Sequence, residues 1–396
     1  MLTSQQLKNS IYRELKQVGF KFKKDTLVPP NPKNKNALRR AHKLAKQHLL
    51  LKNKEWILKN EKELIDFFAN GKDIKPEEIS PKLVLVDDLK KSNLFRYASF
   101  LWSIPISNGF GRRLRYLIMD KSNNKIIGIL GLTDPVINLK VRESHIGWSS
   151  KQKEKNLWHV MDLYVFGAVP PYNQLLGGKL IATLATSDKV RQDFLKKYSS
   201  GRSQISGRNY KSRKGGLVLV TTTGAFGESS ILDRLKTKDR SIRDINKTNK
   251  KIYDRLLWQF LGFTQGYGFF HLNNGISTKM YDYLVETNND IVKKNRFGDG
   301  SNWKMRVITE CMKEFGMNSR KYGKHGIKRG FYIAPLAKNF KEFLNGEDKK
   351  PKFYKQSAGQ LFSFFRERYL LPRAERDLEW KKFNRNTIKV SKKLGA

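Results

Sequence analysis

Two glycine-bearing turns hold the side chains of this sequence that are placed to do chemistry. In the first, an apolar run from Trp158 to Phe166 leads through Gly167, Pro170 and Pro171 into Gln174-Leu175-Leu176-Gly177-Gly178-Lys179-Leu180. A strand that turns on glycine into a helix leaves backbone N–H groups at the helix's positive end, a seat for a phosphate or pyrophosphate. Gln174, Gly177 and Gly178 make up that phosphate loop, and Lys179 adds a cation beside it. Glycines there serve close helix–strand packing equally well. The second turn is Thr221-Thr222-Thr223-Gly224-Ala225-Phe226-Gly227-Glu228-Ser229-Ser230. Ser230 and Asp233 have the spacing of a capping box, and capping alone accounts for Ser230; the functional reading is an oxygen-rich pocket that holds a phosphate or positions a base. Asp162, Glu228 and Ser229 are the candidate catalytic groups, since two carboxylates sharing a divalent ion can cleave a phosphodiester. Asp162 lies inside an apolar strand, where an unpaired charge is costly. His159 is its nearest neighbour of the right type, but strand alternation places the two on opposite faces, which excludes a dyad.

The elements that must position these groups are legible in outline. Arg113–Met119 alternates, Lys121-Ser122-Asn123-Asn124 turns, and Lys125–Leu132 returns, a hairpin. Ser144–Trp148 reads as a third strand and Trp158–Phe166 as a central one. A helix over 174–198, a strand over 216–222, a helix from Ser230 and a short strand over 269–272 complete an α+β core. Helical patterns precede it, over 3–19 and 36–68, and follow it, over 302–315, 360–369 and 373–383. The organisation expected is a basic helical region over 1–92, the core over 93–290 and a second basic helical region over 291–396.

Charge decides the partner class. The chain of 396 residues carries 79 Lys and Arg against 36 Asp and Glu, a net charge of +43. That excess repels itself unless a polyanion neutralises it, so DNA is the expected partner, with RNA as the variant. Arg112, Arg113 and Arg115 cluster on the first hairpin strand, and Arg208, Lys211, Arg213 and Lys214 stud the Ser- and Gly-rich stretch over 199–215; with Lys179 these are the expected nucleic-acid contacts. One cysteine, Cys311, rules out an intramolecular disulfide, and six scattered histidines give no metal-ligand spacing. No signal peptide or membrane span is evident, so a cytoplasmic protein without membrane contact and without a bound cofactor is expected.

The first turn, placed after a hairpin and a central strand, resembles the acyl-CoA pyrophosphate loop of the GNAT acetyltransferase fold, Gln/Arg-x-x-Gly-x-Gly/Ala. Gln174 and Gly177 match; Lys179 stands where a small residue is usual. The resemblance implies a mixed-sheet, acetyltransferase-like core. A longer, collinear set of pieces resembles the Druantia anti-phage defence protein A family: Gly111-Arg112-Arg113-Leu114-Arg115, Asp134-Pro135-Val136, Ile146-Gly147-Trp148, Val160-Met161-Asp162, Gly167 to Tyr172, Leu176 to Leu180, Thr221-Thr222-Thr223, Gly262-Phe263-Thr264, and His325-Gly326-Ile327 with Arg329. Glu228 and Leu232 depart from it, where members tend to carry a basic and an aromatic residue. That resemblance implies a component of a bacterial defence system with a large helicase as partner. The expected function is recognition of DNA for that helicase; a metal-dependent nickase or nuclease, or an acyltransferase using acetyl-CoA, stands as the alternative.

Overall fold

The computed structural model describes residues 3–23, 26–31, 34–106, 111–200, 215–225, 227–239, 253–264, 269–272, 275–293, 303–323 and 325–394. Within them the chain is α+β around a mixed sheet of seven strands: β1 (Pro81–Leu85), β2 (Arg113–Asp120), β3 (Lys125–Thr133), β4 (Val160–Ala168), β5 (Leu219–Thr223), β6 (Gln259–Phe263) and β7 (Gly330–Pro335). The spatial order is β6-β7-β5-β4-β3-β2-β1. Only β4 and β5 pair in parallel, over Val160–Asp162 and Leu219–Thr221; every other neighbouring pair in the sheet is antiparallel. The hairpin forms as β2 and β3, and Asp120 closes its turn by accepting from the Ser122 backbone N–H (3.1 Å) and hydroxyl (2.9 Å).

Both faces of the sheet are covered, which is why β3 and β4 read as nearly continuous apolar runs. On one face the helices Gly177–Leu184, Asp188–Tyr198 and Ala358–Phe365 bury Leu130, Leu132, Met161, Leu163, Val220 and Tyr332. The other face is shared. Helices Lys54–Leu64 and Leu89–Ser99 cover Leu117, Ile129 and Val165, and helices Lys140–Ile146 and Phe340–Asn345 cover Val160, Leu219 and Phe331. A separate cluster joins helix Ser4–Gln17 to Ile276–Glu286 and Trp303–Glu314 through Leu7, Ile11, Met280, Ile308 and Cys311.

Packing therefore crosses the boundaries expected at 92 and 290. The sheet takes β1 from before the first and β7 from beyond the second, and the Leu7 cluster joins residues from both expected flanks. Several elements also differ locally. The stretch over 36–68 is broken into Lys35–Ala41, Lys43–Lys52 and Lys54–Leu64, because His42 and Asn53 turn with ψ near zero. Residues 144–148 form no strand: Glu143 accepts from the Leu139 N–H, and Gly147, at φ 80°, ends helix Lys140–Ile146. The helix expected from Ser230 is a series of turns, drawn to the sheet where the Tyr332 hydroxyl accepts from Ser229 N–H (2.7 Å) and donates to Asp233 (3.0 Å). Phe270–Leu272 is one 3₁₀ turn. Among the described residues no helix is long and apolar enough to cross a membrane.

Candidate functional site

A cavity of about 800 Å³ opens against the sheet. Alternation and register put its floor on one face of three neighbouring strands: Asp162 of β4, Thr221 and Thr223 of β5, and Phe331 of β7. Residues between Pro135 and Ser144 make one wall; Thr264, His325, Ile327 and Arg329 make another.

Each wall is held by a specific clasp. Asp134 accepts from the Arg112 backbone N–H (2.9 Å) and Nε (2.7 Å), while Arg112 Nη1 donates to the Trp158 carbonyl (2.7 Å). This fixes the start of the Pro135–Ser144 segment. Gly111 makes the clasp sterically possible: it sits at φ +66°, and a Cβ there would lie 2.0 Å from Asp134 Oδ2. On the other side Thr264 N–H donates to the Arg329 carbonyl (2.9 Å), and Arg329 N–H donates to the Thr264 hydroxyl (3.1 Å). His325 Nδ1 accepts from Ile327 N–H (3.1 Å).

Two groups give the cavity its chemistry. Asp162 accepts from the Thr221 hydroxyl at 2.7 Å. Burial pushes its carboxyl up to about 6, against the opposing pull of the Thr221 hydrogen bond and the Arg142 charge. It therefore exchanges a proton just below neutrality. Arg142 is 1% exposed. Its Nη2 donates to the Ile137 carbonyl (3.0 Å) and to Glu143 (2.6 Å), whereas its Nε and Nη1 have no hydrogen-bond partner among the described residues. Glu143 is also held by the Trp148 indole N–H. Arg142 is matched by Glu143, so Lys140 and Arg329 against the carboxylate of Asp162 leave the lining a small positive excess that favours an anion.

The structure thus brings Asp162 together with the threonine run, across 59 residues of sequence. It keeps Glu228 and Ser229 away from them. Both belong to the turn engaged by Tyr332, which faces the opposite side of the sheet from Asp162, and Glu228 is exposed. His159 is also elsewhere: its Nδ1 meets the Gly216 carbonyl (2.7 Å) and its ring lies against Phe343.

The phosphate loop is occupied by the protein itself. Gly177 N–H donates to Tyr172 O and Lys179 N–H to Leu176 O. A Cβ on Gly177 would meet Ala168 Cβ and Tyr172 O at 2.6 Å, and one on Gly178 would meet Ile231 at 3.2 Å. Lys179 donates to the carbonyls of Ser230 (3.0 Å) and Ile231 (3.3 Å), and burial holds its ammonium below the usual lysine range. The Gln174 carbonyl accepts from Arg373 Nε (3.0 Å).

The three arginines of β2 separate by environment. Arg112 is buried in the clasp and lies against Trp158, Phe194 and Tyr198, its Cζ 5.2–5.7 Å from their rings. Arg113 is exposed, and Arg115 lies 5.5 Å from the Phe95 ring centre. Lys197, from helix Asp188–Tyr198, donates to the Arg113 carbonyl (2.9 Å); partial burial and then the Arg115 charge hold its ammonium below the usual range. Arg113, Arg115 and Lys197 thus share one surface. Arg208, Lys211, Arg213 and Lys214 lie outside the described residues.

Sequence reading missed Arg142. The only available signal was a basic residue beside a glutamate in a short helix, hidden by reading the following residues as strand. His325, Arg329 and Thr264 were visible only as pieces of a family resemblance, and they now line the same cavity as Pro135, Asp162 and Thr221.

Comparison with known proteins agrees with that resemblance. The family model described as Druantia protein DruA matches residues 32–346. The chain is 34% identical over 382 residues to Druantia protein DruA of Escherichia coli (strain UMEA 4076-1), covering 96% of this chain and 90% of that protein. No solved structure matches.

Proposed function

The chain belongs to the Druantia protein DruA family, and we propose that it serves anti-phage defence by gripping DNA and presenting it to a partner helicase. The observation that carries this reading is the convergence of Arg113, Arg115 and Lys197 on one surface of a chain whose net charge is +43. Such a surface tracks phosphates, and each phosphate it neutralises releases counterions. Lys179 and Arg112 drop out of the contact set, because protein carbonyls and Asp134 already take their donors.

The test is equilibrium binding to duplex DNA over a salt series. The wild type should show a steep linear dependence of log K on log salt. Replacing Arg113, Arg115 and Lys197 together by Glu should reduce that slope by roughly 3, at about 0.9 per lost phosphate contact. An unchanged slope removes this surface from the interface.

Acyl transfer is a second reading, and one feature favours it: β4 and β5 pair in parallel only as far as Asp162 and Thr221, and a helix opens after β4. Against it stand Ile231 over Gly178 and the anchored Lys179, which fill the place of a pyrophosphate. The nucleic-acid reading leads.

A further inference from the structure

The basic surface accounts for attraction to a phosphate backbone but leaves the cavity on the sheet unused. That cavity is far larger than an inorganic anion needs and falls in the range of small-molecule pockets, about 300–1,000 Å³. Its floor changes character from one strand to the next. Asp162 and the Thr221 and Thr223 hydroxyls lie on β4 and β5, Phe331 on β7, and Phe263 and Thr264 close that end at the sheet edge, with Phe269 also in the lining. Arg142 is enclosed by protein yet keeps two N–H donors, Nε and Nη1, without a partner among the described residues. A guanidinium left in that state is costly unless something accepts from it, and its paired, planar donors match a phosphate or carboxylate.

We propose that this cavity is a nucleotide pocket: it takes one unstacked nucleotide, with the phosphate at the Arg142 end and the base against the aromatic end where Phe263 is exposed. The inference rests on the reading that the chain grips nucleic acid, and adds that it discriminates unpaired nucleotides from duplex. A base held in a duplex cannot enter a pocket, whereas a single strand can turn one in at the cost of little stacking. The same chemistry has two sources, a nucleotide within a strand and a free mononucleotide, and the experiment separates them.

Fluorescence anisotropy would compare labelled single-stranded DNA, duplex DNA of equal phosphate count, and dAMP as competitor. The proteins would be the wild type, Ser144→Trp and Arg142→Gln. Ser144 is exposed at the cavity lining, so tryptophan there plugs the opening without disturbing the core. Arg142→Gln removes the anion receptor, and its thermal melt would be recorded alongside. The expected result is a preference for single strand over duplex of tenfold or more in the wild type. Both variants should lose that preference while duplex affinity stays within twofold. Competition by dAMP that Ser144→Trp abolishes, with no strand preference in the wild type, also upholds the pocket and assigns it to free nucleotide. Equal affinity for both DNAs, no competition by dAMP and no effect of Ser144→Trp would overturn the proposal. Absence of duplex binding by the wild type would instead overturn the surface reading, and leaves the dAMP arm to decide the pocket.

Discussion

Arg112 offers the sharpest test of the way roles are divided along β2. It sits one residue from Arg113, and charge alone makes the two equivalent. The structure makes Arg112 a fastener: 7% exposed, bonded through Nε to Asp134 at 2.7 Å and through Nη1 to the Trp158 carbonyl at 2.7 Å. Arg112→Ala leaves the Asp134 carboxylate with only the backbone N–H of residue 112 and the Trp158 carbonyl without its side-chain donor. Removing one partner of a buried pair costs about 3–5 kcal/mol. For a urea m-value of about 3 kcal/mol/M, that lowers the unfolding midpoint by roughly 1–1.7 M. Tryptophan fluorescence is the natural probe, because Trp158 lies directly against the guanidinium. The paired control is Arg113→Ala, an exposed site, expected to change stability by no more than about 0.5 kcal/mol while weakening DNA binding. If Arg112→Ala unfolded at the wild-type urea concentration and lost DNA affinity as Arg113→Ala does, the assignment of Arg112 to the clasp would be wrong.

Three further outcomes are expected. Gly71→Ala would drive a Cβ to 2.0 Å from the Trp380 carbonyl, so the segment over 378–394 should loosen at a cost of about 1–3 kcal/mol and gain tryptic cleavage sites; an unaltered digest would contradict this. Glu61 accepts from the Tyr97 hydroxyl (2.7 Å) and the Val390 (2.6 Å) and Ser391 (3.1 Å) N–H groups, so Glu61→Ala should lower the melting temperature well beyond Glu61→Gln, and equal melts would dismiss the network. Burial holds His42 down to about 4, with the Arg329 charge adding to it, and His271 to about 3. The unfolded chain takes these protons near 6.5 while the native state refuses them, so stability is full above about 6.5 and falls by several kcal/mol as pH drops toward 4. His271→Asn should flatten that dependence in urea titrations between pH 7 and 4.5, and an equally steep dependence in the variant would rule His271 out as its source.

Some of this molecule is settled by local sequence. The β2–β3 hairpin is one case: an alternating strand and an apolar strand flank a Ser-Asn-Asn turn, and Asp120 locks that turn within two residues. Helix Trp303–Glu314 with Gly316 beyond it is another, as is the charge excess that calls for a polyanion. Other features were decided by contacts that no window along the chain contains. Residues 144–146 are helical because Glu143 reaches back to Leu139 and across to Trp148, overriding a strand-like composition, and Gly147 ends the helix. Alternation places Arg112 and Arg113 on opposite faces of β2, but only the packing of Phe194 and Tyr198 decides which face is closed. Asp162 and Thr221 were each singled out in isolation. They meet because β4 and β5 run parallel, and parallel neighbours need a long crossover that carries their partners far apart in sequence. The cavity they floor, and the burial of Arg142 beside it, follow from that pairing together with the two clasped walls: burial and the loss of solvent partners are properties of the assembled fold, whereas propensity and charge belong to the residues themselves.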